Sequence, residues 1–164
     1  MFDRAQYVIE KKLVTVRDTY GVKDVNGNLL GYIKKQILIS FRPTFWFEGP
    51  DGTRQGEIRY GKLASGKYEV YDAQNQLRAT VEWAGGLRRK WRMEDPQGQQ
   101  LAIAEGDFMG RNYQILSPDG SAIAQIHKKW MSIRGSYCID ISRQGFDPFL
   151  ILSYAVVMDN YFSR

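Results

Sequence analysis

One cysteine and one histidine stand in 164 residues, and these two scarcities exclude much chemistry. Cys138 has no partner for an internal disulfide, so nothing marks an oxidising compartment. His127 and Cys138 together cannot supply a zinc-ligand set. A single histidine with no nucleophile elbow leaves no Cys–His or Ser–His–Asp arrangement to propose. The five prolines are scattered, and no Asp-x-Asp-x-Asp-Gly calcium loop occurs. Long apolar runs are missing too. The longest, 149–158, is interrupted by Ser153 and falls short of the ~20 residues of a membrane span. The start, Met1-Phe2-Asp3-Arg4, has no apolar signal-peptide core. These absences lead to the expectation of a soluble, cytoplasmic protein with no transmembrane span, no metal and no cofactor.

Two local motifs fail on inspection. Gly61-Lys62-Leu63-Ala64-Ser65-Gly66-Lys67-Tyr68 has P-loop spacing, but Tyr68 replaces the Mg²⁺-binding Ser/Thr and the following residues alternate like a strand. The Glu94-Asp95 pair sits in a turn, where solvated charge is the ordinary explanation, and nothing points to the carboxylate cleft of a glycosidase. The expectation is a protein without enzymatic activity.

What the chain does contain is core material and a repeat. Apolar residues make up 43% and aromatics 13%, enough to exclude disorder in one domain spanning 1–164. The turn signals Asn26-Gly27, Asp51-Gly52, Asn75-Gln76, Gln97-Gly98, Asp119-Gly120 and Gln144-Gly145 are spaced 25, 24, 22, 22 and 25 residues apart. Asn-Gly and Asp-Gly favour type I′ hairpin turns, in which both central residues have positive φ. Six hairpins make about twelve strands. Around the turns, segments such as 70–81, 93–104 and 115–126 alternate apolar and polar residues with the period of a strand. In Leu101-Ala102-Ile103-Ala104 and Ala122-Ile123-Ala124, large and small residues alternate between the two faces, which suits a barrel wall around something bulky.

A repeat of this length is too short for the ~40–45 residues of a propeller blade, but a sandwich fits the strands equally well. The C-terminus decides between sandwich and barrel. Asp147-Pro148 is a helix start, with Asp as N-cap and Pro at the first helical position. The following residues, to 158, carry no polar stripe, and a helix apolar on all sides must be surrounded. A central helix over about 148–162 is ~22 Å long and ~10–12 Å across. An eight-stranded barrel fills itself with side chains, whereas a wider one has room for such a helix. The expected fold is therefore all-β: a closed antiparallel barrel of about twelve strands around a buried hydrophobic C-terminal helix.

Three stretches carry a family resemblance: Val-Lys-Asp-Val-Asn-Gly at 22–27, Lys-Lys-Trp-Met-Ser-Ile-Arg-Gly-Ser-Tyr at 128–137, and the apolar ending 149–159 closed by Asp159. In this order they resemble the LURP-one-related family, within the superfamily of phospholipid scramblases and the tubby C-terminal domain. The resemblance implies a twelve-stranded barrel around a central helix, and a binding domain acting at anionic phospholipid or phosphoinositide surfaces. The cysteine cluster and acidic calcium segment of scramblases are absent, as is the tubby C-terminal signature.

Charge divides along the repeat. In a meander, alternate connections emerge at opposite barrel ends. The six turn segments (24–28, 48–54, 72–78, 93–99, 117–121, 140–147) hold nine acidic and three basic residues. The intervening connections with their strand ends (9–20, 32–44, 57–69, 82–92, 105–112, 127–136) hold seventeen basic and seven acidic. The net charge of +5 thus gathers at one end, beside Phe41, Phe45, Trp46, Phe47, Trp83, Trp91 and Trp130. Two readings stay open: a surface for anionic headgroups or nucleic-acid phosphates, or a solvated rim with the aromatics facing the core. The residues expected to contact anionic lipid or phosphate are Lys34, Lys35, Arg88, Arg89, Lys90, Lys128 and Lys129. A membrane surface, with the protein peripheral to it, is the leading partner; a nucleic-acid or protein partner is the alternative.

Overall fold

The fold was analysed in a computed structural model that describes residues 1–12, 19–37, 43–61, 66–87, 89–107, 111–129 and 135–162. Twelve strands precede one helix: β1 (Gln6–Lys12), β2 (Thr19–Lys23), β3 (Leu29–Ile37), β4 (Pro43–Glu48), β5 (Arg54–Tyr60), β6 (Lys67–Asp72), β7 (Leu77–Gly85), β8 (Lys90–Glu94), β9 (Gln100–Gly106), β10 (Asn112–Leu116), β11 (Ala122–Lys129), β12 (Ser136–Ile141) and α1 (Pro148–Phe162). Each strand pairs antiparallel with its sequence neighbours, and β1 closes the barrel on β12. No described sheet edge is left open to pair with another chain.

Five of the six turn signals make hairpins, and the sixth leads from β12 into α1. Twelve strands therefore come from five tight hairpins plus β1 and β12, not from six hairpins. The turns are also not type I′. In the first, the Gly27 N–H donates to the Asp24 carbonyl at 3.1 Å and the Asp24 N–H donates to the Asn28 carbonyl at 3.0 Å. Gly27 has a φ of 85°, while Asn26 is not in the positive-φ region. This is a type I turn followed by a left-handed residue in a G1 bulge. The same pair of backbone bonds recurs at 49–53, 72–76, 95–99 and 117–121. Beside each loop the ladder slips register, at Val22/Lys23, Phe47/Glu48, Val70/Tyr71, Met93/Glu94 and Ile115/Leu116.

The helix is the core. Residues 149–158 are each at most 6% exposed. Asp147 Oδ1 accepts the Phe149 N–H at 2.9 Å, so the N-cap read from the sequence is in place. Ser153, the one polar residue of the run, donates to the Phe149 carbonyl at 2.8 Å. The Tyr154 hydroxyl, fully buried, donates to the Ala102 carbonyl at 3.0 Å, and burial pushes it well above its ordinary pKa. The wall makes room with small inward residues: Ala79, Ala102, Ala104 and Ala124 are all fully buried. At Gly56 any side chain collides, because a Cβ there would lie 2.5 Å from the Phe149 ring.

The two barrel openings are unlike. Where the five hairpin loops lie, Phe2 of the N-terminal segment packs on Phe149 and Phe47, with ring centroids 5.0 and 5.8 Å away, and seals the opening. The helix runs from this turn end to the opposite, loop end, where Asp159, Asn160 and Tyr161 arrive among the first or last residues of the strands.

Candidate functional site

Strand alternation decides which cations of the loop end share a surface. Lys35 of β3 lies opposite Phe45 in β4, two residues beyond the Ile33–Phe47 pair of the core, so it belongs to the inner face at the rim. Its Nζ is 6.0 Å from the Phe45 ring centroid. Lys128 of β11 lies opposite Tyr137 in β12, following the buried Ile126–Ile139 pair, and its Nζ is 5.8 Å from the Tyr137 ring. Lys11 of β1 continues the inward series Tyr7, Ile9 and lies opposite Tyr20 of β2. In spatial order β3, β2, β1, β12, β11, the inner rim therefore reads Lys35, Tyr20, Lys11, Tyr137, Lys128.

The centre of this crescent is Asp159, near the C-terminal end of α1. Its carboxylate accepts the Tyr20 hydroxyl at 2.7 Å and the Tyr137 hydroxyl on its other oxygen. A carboxylate near a helix C-terminus opposes the macrodipole, and the two hydroxyl donors offset that. Burial, and then the Asp159 charge, push the Tyr137 hydroxyl far above the ordinary tyrosine range, so it remains a donor. On the other side of the mouth, Asn160 donates to the Tyr68 hydroxyl at 3.1 Å. Tyr161 stacks on Trp83 at 5.3 Å and meets the Trp91 edge at 5.1 Å.

On the outer wall the cations meet carboxylates of neighbouring strands. Lys34 is paired with Glu48 at 2.5 Å, and Glu48 also accepts the Trp46 indole N–H at 2.6 Å. Burial raises the Glu48 carboxyl, but these two donors outweigh it and hold it below the ordinary range. Lys90 is paired with Glu105 at 2.9 Å. Arg92 lies between Glu82 and Glu94, and Lys67 reaches Glu82 at 3.0 Å. Such partly exposed pairs contribute little stability, but they cancel local charge. Arg89, at a φ of 47°, sits beside Tyr113; burial pushes the Tyr113 hydroxyl up to about 12 while Arg89 pulls it down.

Of the seven residues expected from the sequence, Lys35 and Lys128 reach the inner rim, whereas Lys34 and Lys90 are on the outer wall. Arg89 lies in the β7–β8 turn. Arg88 and the Lys129 side chain lie outside the described residues, as do Phe41, Lys62 and Trp130. Phe45, Phe47 and Trp91 face the core, and Trp46 lies on the outer wall under Arg54, whose guanidinium is 5.3 Å from its ring. Lys11, Tyr20 and Tyr137 join the rim beside the expected residues, and the Tyr7-x-Ile9-x-Lys11 alternation is the sequence signal that places Lys11 inward.

A separate groove of about 600 Å³ lies on the outer wall, lined by Glu105, Asp107, Asn112, Gln114, Gln125 and His127 among others. His127 bridges Asn112 and Gln125 at 3.1 Å each, a surface residue tied to the neighbouring strand. Among the described residues no Lys or Arg lines the groove, whereas Glu105 and Asp107 do, so it does not suit a phosphate.

The sequence profile of the LURP-one-related family matches residues 5–159, and the chain belongs to that family. No curated protein matches the chain. Among solved structures, the X-ray structure of a protein from Arabidopsis thaliana matches with a TM-score of 0.67 at 16% sequence identity, covering 99% of this chain and 94% of that one. At that identity the likeness concerns the fold. Among the described residues, no helix is long and apolar enough to cross a membrane.

Proposed function

We propose that this member of the LURP-one-related family is a binding domain rather than an enzyme, and that its loop end docks on anionic phospholipid or phosphoinositide surfaces. The observation that carries the reading is the crescent of Lys35, Lys11 and Lys128 around the barrel mouth. Three ammonium groups on alternate strands offer phosphate a curved positive rim, and each Lys near an anionic leaflet contributes roughly 1 kcal/mol. Arg89, in the β7–β8 turn, extends this surface, while Lys34 and Lys90, already paired on the wall, add only to the longer-range field. Occupation of the barrel interior by α1 favours recognition at the rim over catalysis inside. A cytoplasmic protein held peripherally at a membrane follows from this reading.

One observation favours a second partner class. Tyr161 is 42% exposed and stacked on Trp83, a platform on which a base of single-stranded nucleic acid would stack. Co-sedimentation separates the two. With vesicles of phosphatidylcholine plus phosphatidylserine the protein should pellet, and without phosphatidylserine it should not. The Lys11→Glu/Lys35→Glu/Lys128→Glu variant, checked for an unchanged melting temperature, should lose about a hundredfold in affinity or more, from roughly 1 kcal/mol per lysine. Absence of vesicle binding together with steeply salt-dependent binding of single-stranded nucleic acid would replace the lipid reading with the second one.

A further inference from the structure

The most exposed large apolar side chain among the described residues is Leu87, at 89%. A lone exposed leucine needs no explanation, but this one has a particular setting. It lies in the turn joining β7 to β8, where the Arg89 N–H donates to the Gly86 carbonyl at 3.2 Å. Gly85, Gly86 and Arg89 all have positive φ, at 79°, 85° and 47°. The backbone accepts left-handed conformations on both sides of Leu87, one of them at an arginine, where they are unfavourable. Gly, Asn, Asp and Ser are the usual occupants of such turns; here the exposed position holds a leucine.

The turn's own sequence is basic, although residues of the adjoining strands bring carboxylates to it: Lys90 is paired with Glu105, Arg92 with Glu82 and Glu94, and Leu87 borders the groove that holds Glu105 and Asp107. Residues 85–92, Gly-Gly-Leu-Arg-Arg-Lys-Trp-Arg, contain four cations and no carboxylate. Just below the tip, Trp83 stacks on the partly exposed Tyr161 at the mouth, with the buried Trp91 edge-on to both. Tyr and Trp carry an apolar body with a polar edge and suit the headgroup level of a bilayer. The other strongly exposed apolar side chain, Val25 at 60%, sits at the turn end beside Asp24, in a loop with no cation. Among the described residues, a strongly exposed apolar tip, a basic turn sequence and the Tyr161–Trp83 pair coincide at the loop end.

We propose that Leu87 is the apolar anchor of the loop end, entering the acyl-chain boundary of an anionic bilayer while the cations of its turn stay at the phosphate level. The inference rests on the membrane reading of the loop end and adds to it a contact that salt does not screen. Apolar insertion and electrostatic attraction act together in peripheral membrane binding.

The test uses the full chain and vesicles of phosphatidylcholine with phosphatidylserine, at low and at high salt. Leu87→Ala removes a leucine's worth of burial beyond the methyl group and should weaken binding about tenfold at both salt concentrations. Val25→Ala should bind like the unaltered chain. In a Cys138→Ser background, an environment-sensitive fluorophore on Leu87→Cys should brighten and shift to the blue on vesicles, and one on Val25→Cys should not. If the unaltered chain binds and Leu87→Ala binds equally well, or the label at 87 stays in a water-like environment, the anchor is overturned and the electrostatic reading survives. If the unaltered chain does not bind these vesicles, both fall.

Discussion

The two ends of the barrel use charged residues for opposite purposes. At the turn end, carboxylates are absorbed by the backbone. Asp24 accepts the N–H groups of Asn26 and Asn28, both at 2.9 Å; Asp72 and Asp95 accept the corresponding pairs in their loops. Asp51 and Asp119, placed two residues later in their loops, accept from Thr53 and Ser121. Five carboxylates therefore hold five loops of one form, and the opening beneath them is sealed by Phe2, Phe47 and Phe149. At the loop end the inward cations line an opening instead, and the helix terminus fills it with polar groups. The acidity of one end follows from turn chemistry. Only the basic end is left as evidence about a partner.

Variants can break this contrast, beginning with the one that should remove both ends together. Truncation after Gly145 deletes α1 and its ten buried residues at 149–158. At ~1.5–3 kcal/mol for each large apolar side chain, the loss exceeds the ~5–15 kcal/mol net stability of a domain. Circular-dichroism melting should give no cooperative transition; a sharp one would refute the helix-filled barrel. The next largest effect falls on the turn end alone. Asp95→Ala leaves two loop N–H groups without their acceptor and should cost about 1–2 kcal/mol in denaturant unfolding, with vesicle affinity unchanged. Loss of affinity in that variant would give the turn end a role it lacks here.

Asp159→Asn acts at the other end. It removes the carboxylate charge inside the lysine crescent; the amide oxygen still accepts one of the Tyr20 and Tyr137 hydroxyls, and the amide N–H faces the oxygen of the other. Stability should fall by about 1 kcal/mol or less, and affinity for anionic vesicles should rise several-fold. Weaker vesicle binding would mean that Asp159 helps the site rather than opposing it. The smallest effect is acid sensitivity of the turns. Side-chain and backbone donors from Asn28 hold the Asp24 carboxyl below its ordinary value, donors from Thr53 do the same to Asp51, and those from Ser117 and Ser121 to Asp119. Depressed folded-state values mean that their stabilisation is complete above the ordinary Asp range, about pH 4, and is lost as pH falls through the lower folded values. The melting temperature should decline below about pH 4, and Asp119→Asn should make that decline shallower.

What the sequence revealed, it revealed through local chemistry. The strand alternation, the turn spacing and the Asp147-Pro148 cap involve residues only a few positions apart, and each is in place. The turn subtype is not legible from the dipeptide, because Asn-Gly fits both a two-residue I′ loop and a three-residue loop with a G1 bulge. The deciding residue is the aspartate two positions earlier, as at Asp24 before Asn26, whose side chain stabilises the type I turn from its first position. The site was less legible because it depends on register. Lys34 and Lys35 look like one patch in sequence, but neighbouring strand residues face opposite ways, so one meets Glu48 on the wall and the other the Phe45 ring at the rim. No local signal joins Lys11, Lys35 and Lys128, which lie far apart in the chain and come together only when β1 closes on β12.

Amide hydrogen exchange of the unaltered chain, with and without phosphatidylserine vesicles, tests most directly whether the loop end is the docking surface. Exchange should slow at the loop-end termini of β1, β2, β3, β11 and β12 and in the β7–β8 turn, while the loops at 24–28, 72–76 and 95–99 keep their rates. Protection centred on those turn loops, or spread evenly over both ends, would contradict the account.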